Sequence, residues 1–374
     1  MKKICFVTAA RSEYGLLKWI MKDVAAMKNV QLQLIVTGGH LLKEQGYTVT
    51  HIIEDGFHID YELPLDMSDT SQAGIVASMG QLQTGMAEAL NELKPDYVAV
   101  LGDRYELLPI CSAAFVMRIP IIHFSGGDVT EGAIDDGIRN AVTMLATYHF
   151  PGQKESYDNI VRMRGSDKNV WMVGEPGLDA FFRNDLMTRQ ELSESLGLRM
   201  DADWALMTYH AETTKDLAYN EAAVCNILDV VRKQENMQVV CTYANADFGG
   251  ECINQYLEEM ASEYPNQVIT IPSLGQMRYL SLMRQVVAIL GNSSSGIVEA
   301  PFLGIPVVNV GDRQKGRYLS DNIVQCGTSA EEIAQALQLA MTKEICRNDL
   351  NHWGDGHTAE RVVKILSEVI TCNK

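Results

Sequence analysis

LGNSSSGIVEAPFLGIPVVNVGDRQKGR, residues 290–317, has the sequence form of a strand end, a turn of small residues, a helix and a second strand. The apolar run 286–290 indicates a short buried strand before the turn, and apolar residues recur at helical spacing after it. The first N–H groups of a helix have no partner within it, and the helix dipole favours negative charge there. This order of elements is therefore typical of an anion site. An ordinary serine-capped helix is the alternative.

The side chains of this stretch favour a nucleotide diphosphate as the anion. Hydroxyl groups at Ser293 and Ser294 offer donors, and small residues such as Gly296 let a phosphate approach the backbone. Glu299 would repel a phosphate, whereas a carboxylate is a suitable acceptor for the adjacent hydroxyls of a ribose. The second strand, 307–310, is followed by three cations in five residues that can neutralise a diphosphate: Arg313, Lys315 and Arg317.

Length and composition predict a globular protein of two domains. The chain has 374 residues, 47% of them hydrophobic, and no apolar run approaches the roughly 18 residues that a membrane span needs. The N-terminal apolar run is too short for a signal peptide, so we expect a cytoplasmic protein. A net charge of −17 argues against a nucleic-acid partner. The eight cysteines lack metal-ligand spacing, so we expect reduced thiols and no metal site.

Apolar runs alternate with helical patterns along the chain, which predicts an α/β fold with doubly wound parallel sheets. The turn 174–177 (GEPG) interrupts the alternation. We therefore place a first Rossmann-like domain at 1–174, a second at 175–357 and a C-terminal helix at 358–374. No G-x-G-x-x-G follows the first strand, so a dehydrogenase-type dinucleotide site is not predicted. The predicted strands are 3–9, 31–37, 57–61, 96–101, 119–124, 148–150, 205–208, 239–242, 268–271, 286–290 and 307–310.

Charged residues follow several predicted strands, at the edge where ligands bind in open α/β sheets. Asp103 and Arg104 end one strand and form either a structural ion pair or part of an acid–base site. Asp128 and Asp135 belong to an acidic run that also complements the dipole of the following helix. Asp135 and Arg139 are four residues apart and share a helix face. The arginine can therefore hold the carboxylate in place for proton transfer.

Three other residues near strand ends are candidates for ligand contact or for structure. Arg11 follows the first strand, and His210 follows the first strand of the second half. His210 is either a polar turn residue or a group that faces the nucleotide turn. His123 lies within a strand, which favours a structural role.

The sequence resembles the hydrolysing UDP-N-acetylglucosamine 2-epimerases of bacterial sialic-acid pathways over nearly its whole length. Four motifs in order carry the resemblance: TAARSEYG (8–15), LGDR (101–104), HFSGGDVTEGAIDDGIR (123–139), and GNSSSGIVE (291–299) with GDRQKGR (311–317). The resemblance implies a GT-B arrangement of two Rossmann-like domains facing a cleft, with the last helix crossing back onto the first domain. It implies no redox cofactor and no metal, and we expect a homo-oligomer, a dimer or tetramer.

The reaction implied is the conversion of UDP-GlcNAc and water to N-acetylmannosamine and UDP. A base removes the proton at C2 while UDP leaves C1, which gives a 2-acetamidoglucal, and water then adds with inversion at C2. The acid–base set implied is Asp103, Asp135, His210 and Asp128. The substrate-binding set is Arg11, Arg104, Arg139, Asn245, Ser293, Ser294, Gly296, Glu299 and Arg313. Within these sets, Glu299 takes the ribose hydroxyls, Arg313 the uracil or phosphates, and Arg139 orients Asp135.

One departure from the family pattern and several rival substrates stay open. Several relatives carry Glu where this chain has Ser125, and a serine cannot do the proton chemistry of a carboxylate. Either Asp128 substitutes, or the roles are distributed differently. UDP-N,N′-diacetylbacillosamine and a GDP-sugar are alternative substrates. A non-hydrolysing epimerase, a GT-B glycosyltransferase and a non-catalytic nucleotide-sugar sensor are the alternative functions.

Overall fold

A computed structural model describes residues 1–43, 46–69, 71–129, 134–212, 215–244, 249–345 and 351–372. The chain forms two compact units. The first unit comprises Met1–Arg183 and Gly354–Lys374, and the second comprises Asn184–Trp353. None of the described helices is long and apolar enough to cross a membrane.

The first unit is built on a parallel sheet with helices on both faces. In chain order its elements are β1 (Lys2–Thr8), α1 (Arg11–Ala25), β2 (Val30–Thr37), a 3-10 turn (Gly38–Leu41), α2 (Val49–Glu54), β3 (Tyr61–Leu63), α3 (Gln72–Leu93), β4 (Tyr97–Leu101), α4 (Leu107–Val116), β5 (Ile121–Phe124), α5 (Ile134–Leu145), β6 (Tyr148–Phe150), α6 (Lys154–Arg164), a 3-10 turn (Pro176–Asp179), α7 (Ala180–Arg183) and, from the end of the chain, α14 (Thr358–Cys372).

Continuous apolar runs form the inner strands of this sheet because these strands are covered on both faces. Every residue of β4 and β5 is buried, for example. One face packs against α1 and α14, and the other packs against α3, α4 and α5. The six strands are ordered β3-β2-β1-β4-β5-β6. The strand order therefore reverses between β1 and β4, which is the topological switch point of the sheet. In such sheets the ligand binds beside that reversal, at the carboxyl ends of the strands.

The last helix belongs to the first unit because a buried carboxylate caps its N-terminus. Asp179 is 1% exposed, and its two oxygens accept hydrogen bonds from the backbone N–H groups of Thr358 and Ala359 at 2.9 and 2.8 Å. This cap ties 175–183 to α14. The two units consequently divide after Arg183 rather than at the predicted boundary after residue 174.

The second unit repeats the same architecture. Its elements are α8 (Arg189–Leu196), β7 (Asp203–Thr208), α9 (Leu217–Arg232), β8 (Met237–Thr242), α10 (Gly250–Glu263), β9 (Val268–Ile271), α11 (Gly275–Met283), β10 (Ala288–Gly291), α12 (Ser294–Leu303), β11 (Val307–Val310), β12 (Ile323–Cys326) and α13 (Ala330–Thr342). The strands are ordered β12-β11-β10-β7-β8-β9, so this sheet is also doubly wound, and its strand order reverses between β7 and β10.

The predicted α/β class with two doubly wound parallel sheets is confirmed, but two strands were misplaced and one was not predicted. The expected strand 57–61 begins only at Tyr61, where β3 pairs with the end of β2. The expected strand 286–290 is ordered as β10 from Ala288 to Gly291. The edge strand β12 was not predicted. Only one of its four residues is buried, so it lacks the apolar run that marks the inner strands.

Candidate active site

Arg11 and Glu13 lie at the carboxyl end of β1, where α1 begins. Arg11 is the first residue of the helix and is exposed. Glu13 is 5% exposed, and its Oε2 accepts hydrogen bonds from the backbone N–H groups of Ala9 and Ala10 at 2.8 and 3.2 Å. Burial raises the pKa of Glu13 to about 7, although Arg104 favours the ionised form. The carboxylate of Glu13 therefore caps the backbone N–H groups just before α1.

Arg104 is held by carboxylates other than that of its neighbour Asp103. Its Nη2 and Nε donate to the two oxygens of the buried Glu106 at 2.7 and 3.2 Å, and its Nε lies 3.8 Å from Oε1 of Glu13. These carboxylates raise the pKa of Arg104 against the effect of burial. The Asp103–Arg104 ion pair that the sequence left open does not form, because the two side chains have different partners.

Asp103 instead pairs with Arg139 of α5. Asp103 follows β4 after Gly102, and its Oδ2 accepts a charge-assisted hydrogen bond from Nη2 of Arg139. The Arg139 side chain is 1% exposed, whereas that of Asp103 is 28% exposed. Arg139 also contacts Asp136 at 3.3 Å and donates to the carbonyl of Asp128 at 2.7 Å. A buried guanidinium thus orients a carboxylate that stays open to a ligand.

The other two acids occupy different surroundings. Asp135 lies in the first turn of α5 and is partly buried, and its orientation by Arg139 stays a prediction. The carboxylate of Asp128 accepts hydrogen bonds from Ser156 and, at 3.4 Å, from Gln153. Both partners belong to the start of α6, so these contacts join the loop after β5 to that helix. Asp128 therefore has a structural task whether or not it also acts on a ligand.

Ser125 follows β5 and donates a hydrogen bond from its hydroxyl group to Oε2 of Glu175 at 2.8 Å. His123, two residues earlier, is fully buried, and its Nε2 lies 2.8 Å from the carbonyl oxygen of Gly102. Burial lowers the pKa of His123 to about 4, so its ring is neutral at pH 7. The structural role predicted for His123 fits this position.

In the second unit, the serine turn joins β10 to α12. Ser293 is the N-cap of α12, and its Oγ accepts from the backbone N–H of Ser295 at 3.5 Å and lies 3.0 Å from the hydroxyl oxygen of Ser295. Ser294 is the first residue of the helix and is exposed. The hydroxyl group of Tyr279 lies 2.5 Å from that of Ser295. The helix is serine-capped, as the simpler interpretation held. Anion binding at its N-terminus stays a prediction.

Gly296 and Glu299 lie further along α12. Gly296 is buried, and a Cβ there would come within 3.2 Å of Val307, so this glycine lets the helix pack closely on β11. Burial raises the pKa of Glu299 to about 7, while the charge of Arg317 favours its ionised form. Glu299 is partly buried, and its facing a ribose stays a prediction.

His210, Arg313 and the serine turn meet through Asn292, a fully buried residue that follows β10. The side-chain amide of Asn292 exchanges two hydrogen bonds with the backbone of His210. The backbone carbonyl oxygen of Asn292 accepts from Arg313 Nη1 at 3.0 Å and from Gln314 Nε2 at 2.7 Å. Burial, together with the charge of Arg313, lowers the pKa of His210 to about 3. His210 is therefore a neutral donor and acceptor at pH 7, not a cation.

Several residues of these edges were missed by the sequence reasoning. Glu212 is 4% exposed, and its Oε1 accepts from the backbone N–H of Asp312 at 2.9 Å. Burial raises the pKa of Glu212. A position just after a strand was the available signal for most of the missed residues, which are Glu13, Glu106, Glu175, Glu212, Tyr279 and Asn292. Asn245 of the predicted substrate-binding set and Glu131 of the motif 123–139 lie outside the described residues.

Charged and hydroxyl groups therefore gather at the carboxyl edges of both sheets. The first unit brings Asp103, Arg139 and the backbone of Asp128 together, and the second brings His210, Ser293 and Arg313 around Asn292. Among the described residues no group of three or more His, Cys, Asp or Glu side chains is placed to bind a metal ion.

A family model described as UDP-N-acetylglucosamine 2-epimerase matches residues 22–367. A GDP/UDP-N,N′-diacetylbacillosamine 2-epimerase (hydrolyzing) of Campylobacter jejuni is 33% identical over 93% of this chain and 89% of its own length. A UDP-N,N′-diacetylbacillosamine 2-epimerase (hydrolyzing) of Legionella pneumophila is 31% identical over 99% of this chain and 96% of its own. A UDP-N-acetylglucosamine 2-epimerase of Neisseria meningitidis is 27% identical over 100% and 97%.

Solved structures share the fold. The UDP-GlcNAc 2-epimerase of Neisseria meningitidis, bound to UDP-GlcNAc, superposes with a TM-score of 0.82 over 98% of this chain and 100% of its own, at 17% identity. That of Methanocaldococcus jannaschii, in complex with UDP-GlcNAc and UDP, gives a TM-score of 0.80 over 98% and 99%, at 18% identity. This similarity shows the two-domain, GT-B-like α/β fold.

Proposed function

This chain belongs to the UDP-N-acetylglucosamine 2-epimerase family, and we propose that it is a hydrolysing member that releases UDP and a free, 2-epimerised 2-acetamido sugar. The observation that carries the proposal is the 33% and 31% identity, over nearly the whole chain, to two relatives named as hydrolysing 2-epimerases. The arrangement of anion-binding turn and oriented carboxylates supports it, because the reaction needs both.

UDP-N,N′-diacetylbacillosamine is the substrate we propose first. The relatives at 33% and 31% identity are each named for that sugar, and one of them for its GDP-linked form as well. UDP-GlcNAc, with N-acetylmannosamine as product, is the second candidate. The Neisseria relative named for UDP-GlcNAc matches the full length of this chain at 27% identity, which favours it over other nucleotide sugars.

The second unit binds the nucleotide in this proposal. The N–H groups at the start of α12 and the hydroxyls of Ser293 and Ser294 hold the diphosphate, since they offer donors at the positive end of the helix. Arg313, fixed on Asn292, supplies a charge of opposite sign, and Glu299 accepts from the ribose hydroxyls. His210 is neutral, so it contributes a directed hydrogen bond without adding charge.

The first unit supplies the groups that act on the sugar. Asp103 and Asp135 are the acid–base pair: one takes the proton from C2, and the other delivers a solvent-derived proton to the opposite face. Arg139 fixes Asp103. Arg11 adds a cation for the departing diphosphate. General acid–base groups of this kind contribute about 10²–10⁴-fold to a rate.

A panel of UDP-N,N′-diacetylbacillosamine, its GDP-linked form and UDP-GlcNAc, incubated in D2O and followed by NMR, tests the proposal. We expect one substrate to give free nucleotide and a free sugar with deuterium at C2. A nucleotide-linked epimer as the product would identify a non-hydrolysing enzyme instead. Release of UDP without deuterium at C2 would contradict C2 deprotonation, and no turnover with any of the three sugars would leave only a binding function.

A further inference from the structure

The hydrogen bond between Ser125 and Glu175 joins two strand ends of the first unit. Ser125 follows β5, and its backbone N–H donates to the carbonyl of Phe150 in β6 at 3.1 Å. Glu175 follows an extended segment on the far side of β6, where the N–H of Val173 donates to the carbonyl of Pro151 at 3.0 Å. The side chain of Glu175 therefore passes over the end of β6, and its Oε2 accepts a hydrogen bond from the Ser125 hydroxyl group at 2.8 Å.

Two backbone features show that this contact is built into the fold. A Cβ on Gly152 would lie 1.8 Å from Oε1 of Glu175, so only glycine leaves a path for the carboxylate. Ser125 has a φ of +54°, a left-handed conformation that costs free energy for any residue except glycine. Backbone strain of this kind clusters at active sites and ligand-binding loops, which makes Ser125 a candidate functional position.

Burial gives the two residues different access to a ligand. Glu175 is 8% exposed, whereas Ser125 is only partly buried, at the strand end adjacent to that of Asp103. The buried carboxylate of Glu175 can therefore reach a ligand only through the hydroxyl group of Ser125. The carboxylate of Asp128, the other acid near Ser125 in sequence, contacts Gln153 and Ser156 at the start of α6.

We propose that Ser125 and Glu175 form a proton relay that deprotonates the attacking water in the second half of the reaction; this inference rests on the proposed function. One O–H bond of water breaks as its oxygen bonds to C1 of the 2-acetamidoglucal. The proton passes to Oγ of Ser125 while the Ser125 proton passes to Oε2 of Glu175. The C1–C2 π electrons take a proton at C2 from the second carboxyl group of the proposed pair, acting on the face opposite to the base of the first half, so that C2 is inverted. That base and Glu175 then give their protons to solvent.

A relay suits this step better than the removal of the C2 proton. A serine oxygen exchanges protons readily with water because both are hydroxyl groups of similar acidity. Taking a proton from carbon requires a base in direct contact with it, and the buried Glu175 is reached only through Ser125. Ser125 is thus the catalytic residue of the pair, and Glu175 acts through it as a positioning residue and proton acceptor.

The test compares Glu175→Gln, Ser125→Ala, Ser125→Gly and the double variant Glu175→Gln/Ser125→Ala, with UDP release and free sugar measured separately by NMR. We expect UDP release to stay within about 3-fold of native. Formation of the hydrated sugar falls by about 10²–10⁴-fold, and 2-acetamidoglucal accumulates. The double variant should be no slower than either single one, because both remove the same relay.

Two variants control for effects on folding. Ser125→Gly relieves the positive φ and removes only the hydroxyl group with its carbon, and Ser112→Ala removes a hydroxyl from α4 that donates to the Pro109 carbonyl at 3.2 Å. Ser112→Ala should leave both steps unchanged. Native hydration rates in folded Glu175→Gln or Ser125→Gly, or equal losses of UDP release and hydration, would overturn the relay. None of these results would contradict the proposed function. That function is contradicted only if the native protein itself releases no UDP and no epimerised sugar.

Discussion

Asn292 and His210 are joined by two reciprocal hydrogen bonds at the point where the strand order of the second sheet reverses. Oδ1 of Asn292 accepts from the backbone N–H of His210 at 2.8 Å, and its Nδ2 donates to the His210 carbonyl at 2.9 Å. Asn292 follows β10 and His210 follows β7, the two strands that flank the reversal. His210 and Arg313 are thus tied to one buried residue of the serine turn, His210 through the side-chain amide of Asn292 and Arg313 through the backbone carbonyl of Asn292.

Replacing Asn292 with Asp should weaken UDP binding by about 10–100-fold. The carboxylate cannot donate to the His210 carbonyl and adds negative charge beside the predicted diphosphate turn, and a charge-associated hydrogen bond is worth about 1.5–3 kcal/mol. Isothermal titration with UDP measures the effect. Asn226→Asp is the control, since Asn226 donates to the Thr328 carbonyl at 2.9 Å from α9. Native affinity in a folded Asn292→Asp protein would contradict the prediction.

Asp103→Asn should lower the turnover number by about 10²–10⁴-fold while UDP affinity changes little. The amide keeps the shape of the carboxylate that Arg139 orients but cannot take a proton. Asp96→Asn is a matched control, because Asp96 immediately precedes the N-terminal end of β4, away from Asp103, and pairs with Lys2. That variant should keep native turnover. Full activity of Asp103→Asn would remove Asp103 from the mechanism, and loss of folding would assign it a structural role.

Gly291→Ala should destabilise the protein by about 3 kcal/mol or more and abolish UDP binding. Gly291 has a φ of +123°, and a Cβ there would lie 2.1 Å from the backbone oxygen of Thr208. Gly80→Ala is the control, since Gly80 is exposed in α3 and a Cβ there would meet no atom within 4 Å. It should raise stability by about 0.5–1 kcal/mol. Chemical denaturation measures both values.

His149→Leu should reduce the acid sensitivity of the fold. His149 is fully buried, and burial, assisted by His123 and Arg164, lowers its pKa to about 3. The unfolded chain, with a histidine pKa of about 6.5, then binds more protons than the folded one, so native stability falls as pH drops from about 6.5 towards 3. Relative to native, the variant should gain about 2 kcal/mol between pH 7 and pH 5.

Urea denaturation at the two pH values tests this expectation. His51→Leu, at an exposed position, should follow the native pH dependence. A His149→Leu protein whose stability changes with pH as the native protein's does would show that this imidazole is not held neutral by burial.

Strands that are covered on both faces were predictable, because burial on both faces requires an unbroken apolar run. β4, with all its residues buried, was located to within one residue, whereas the edge strands β3 and β12 were misplaced or missed. The serine cap of α12 was equally readable, since a cap is set by neighbouring residues. The partners of Asp103 and Arg104 were not, because each pairs with a different side chain from the one beside it in the chain.

The sequence by itself determined the α/β class, the strand-turn-helix order at the serine turn and the family, because periodicity, capping and motif order are local properties of the chain. Only the tertiary structure decided which side chains meet. Arg139 reaches Asp103 over 36 residues, Glu175 reaches Ser125 over 50, and Asn292 reaches His210 over 82. These contacts depend on the order of strands in each sheet, and that order follows from packing of the whole unit rather than from any one segment.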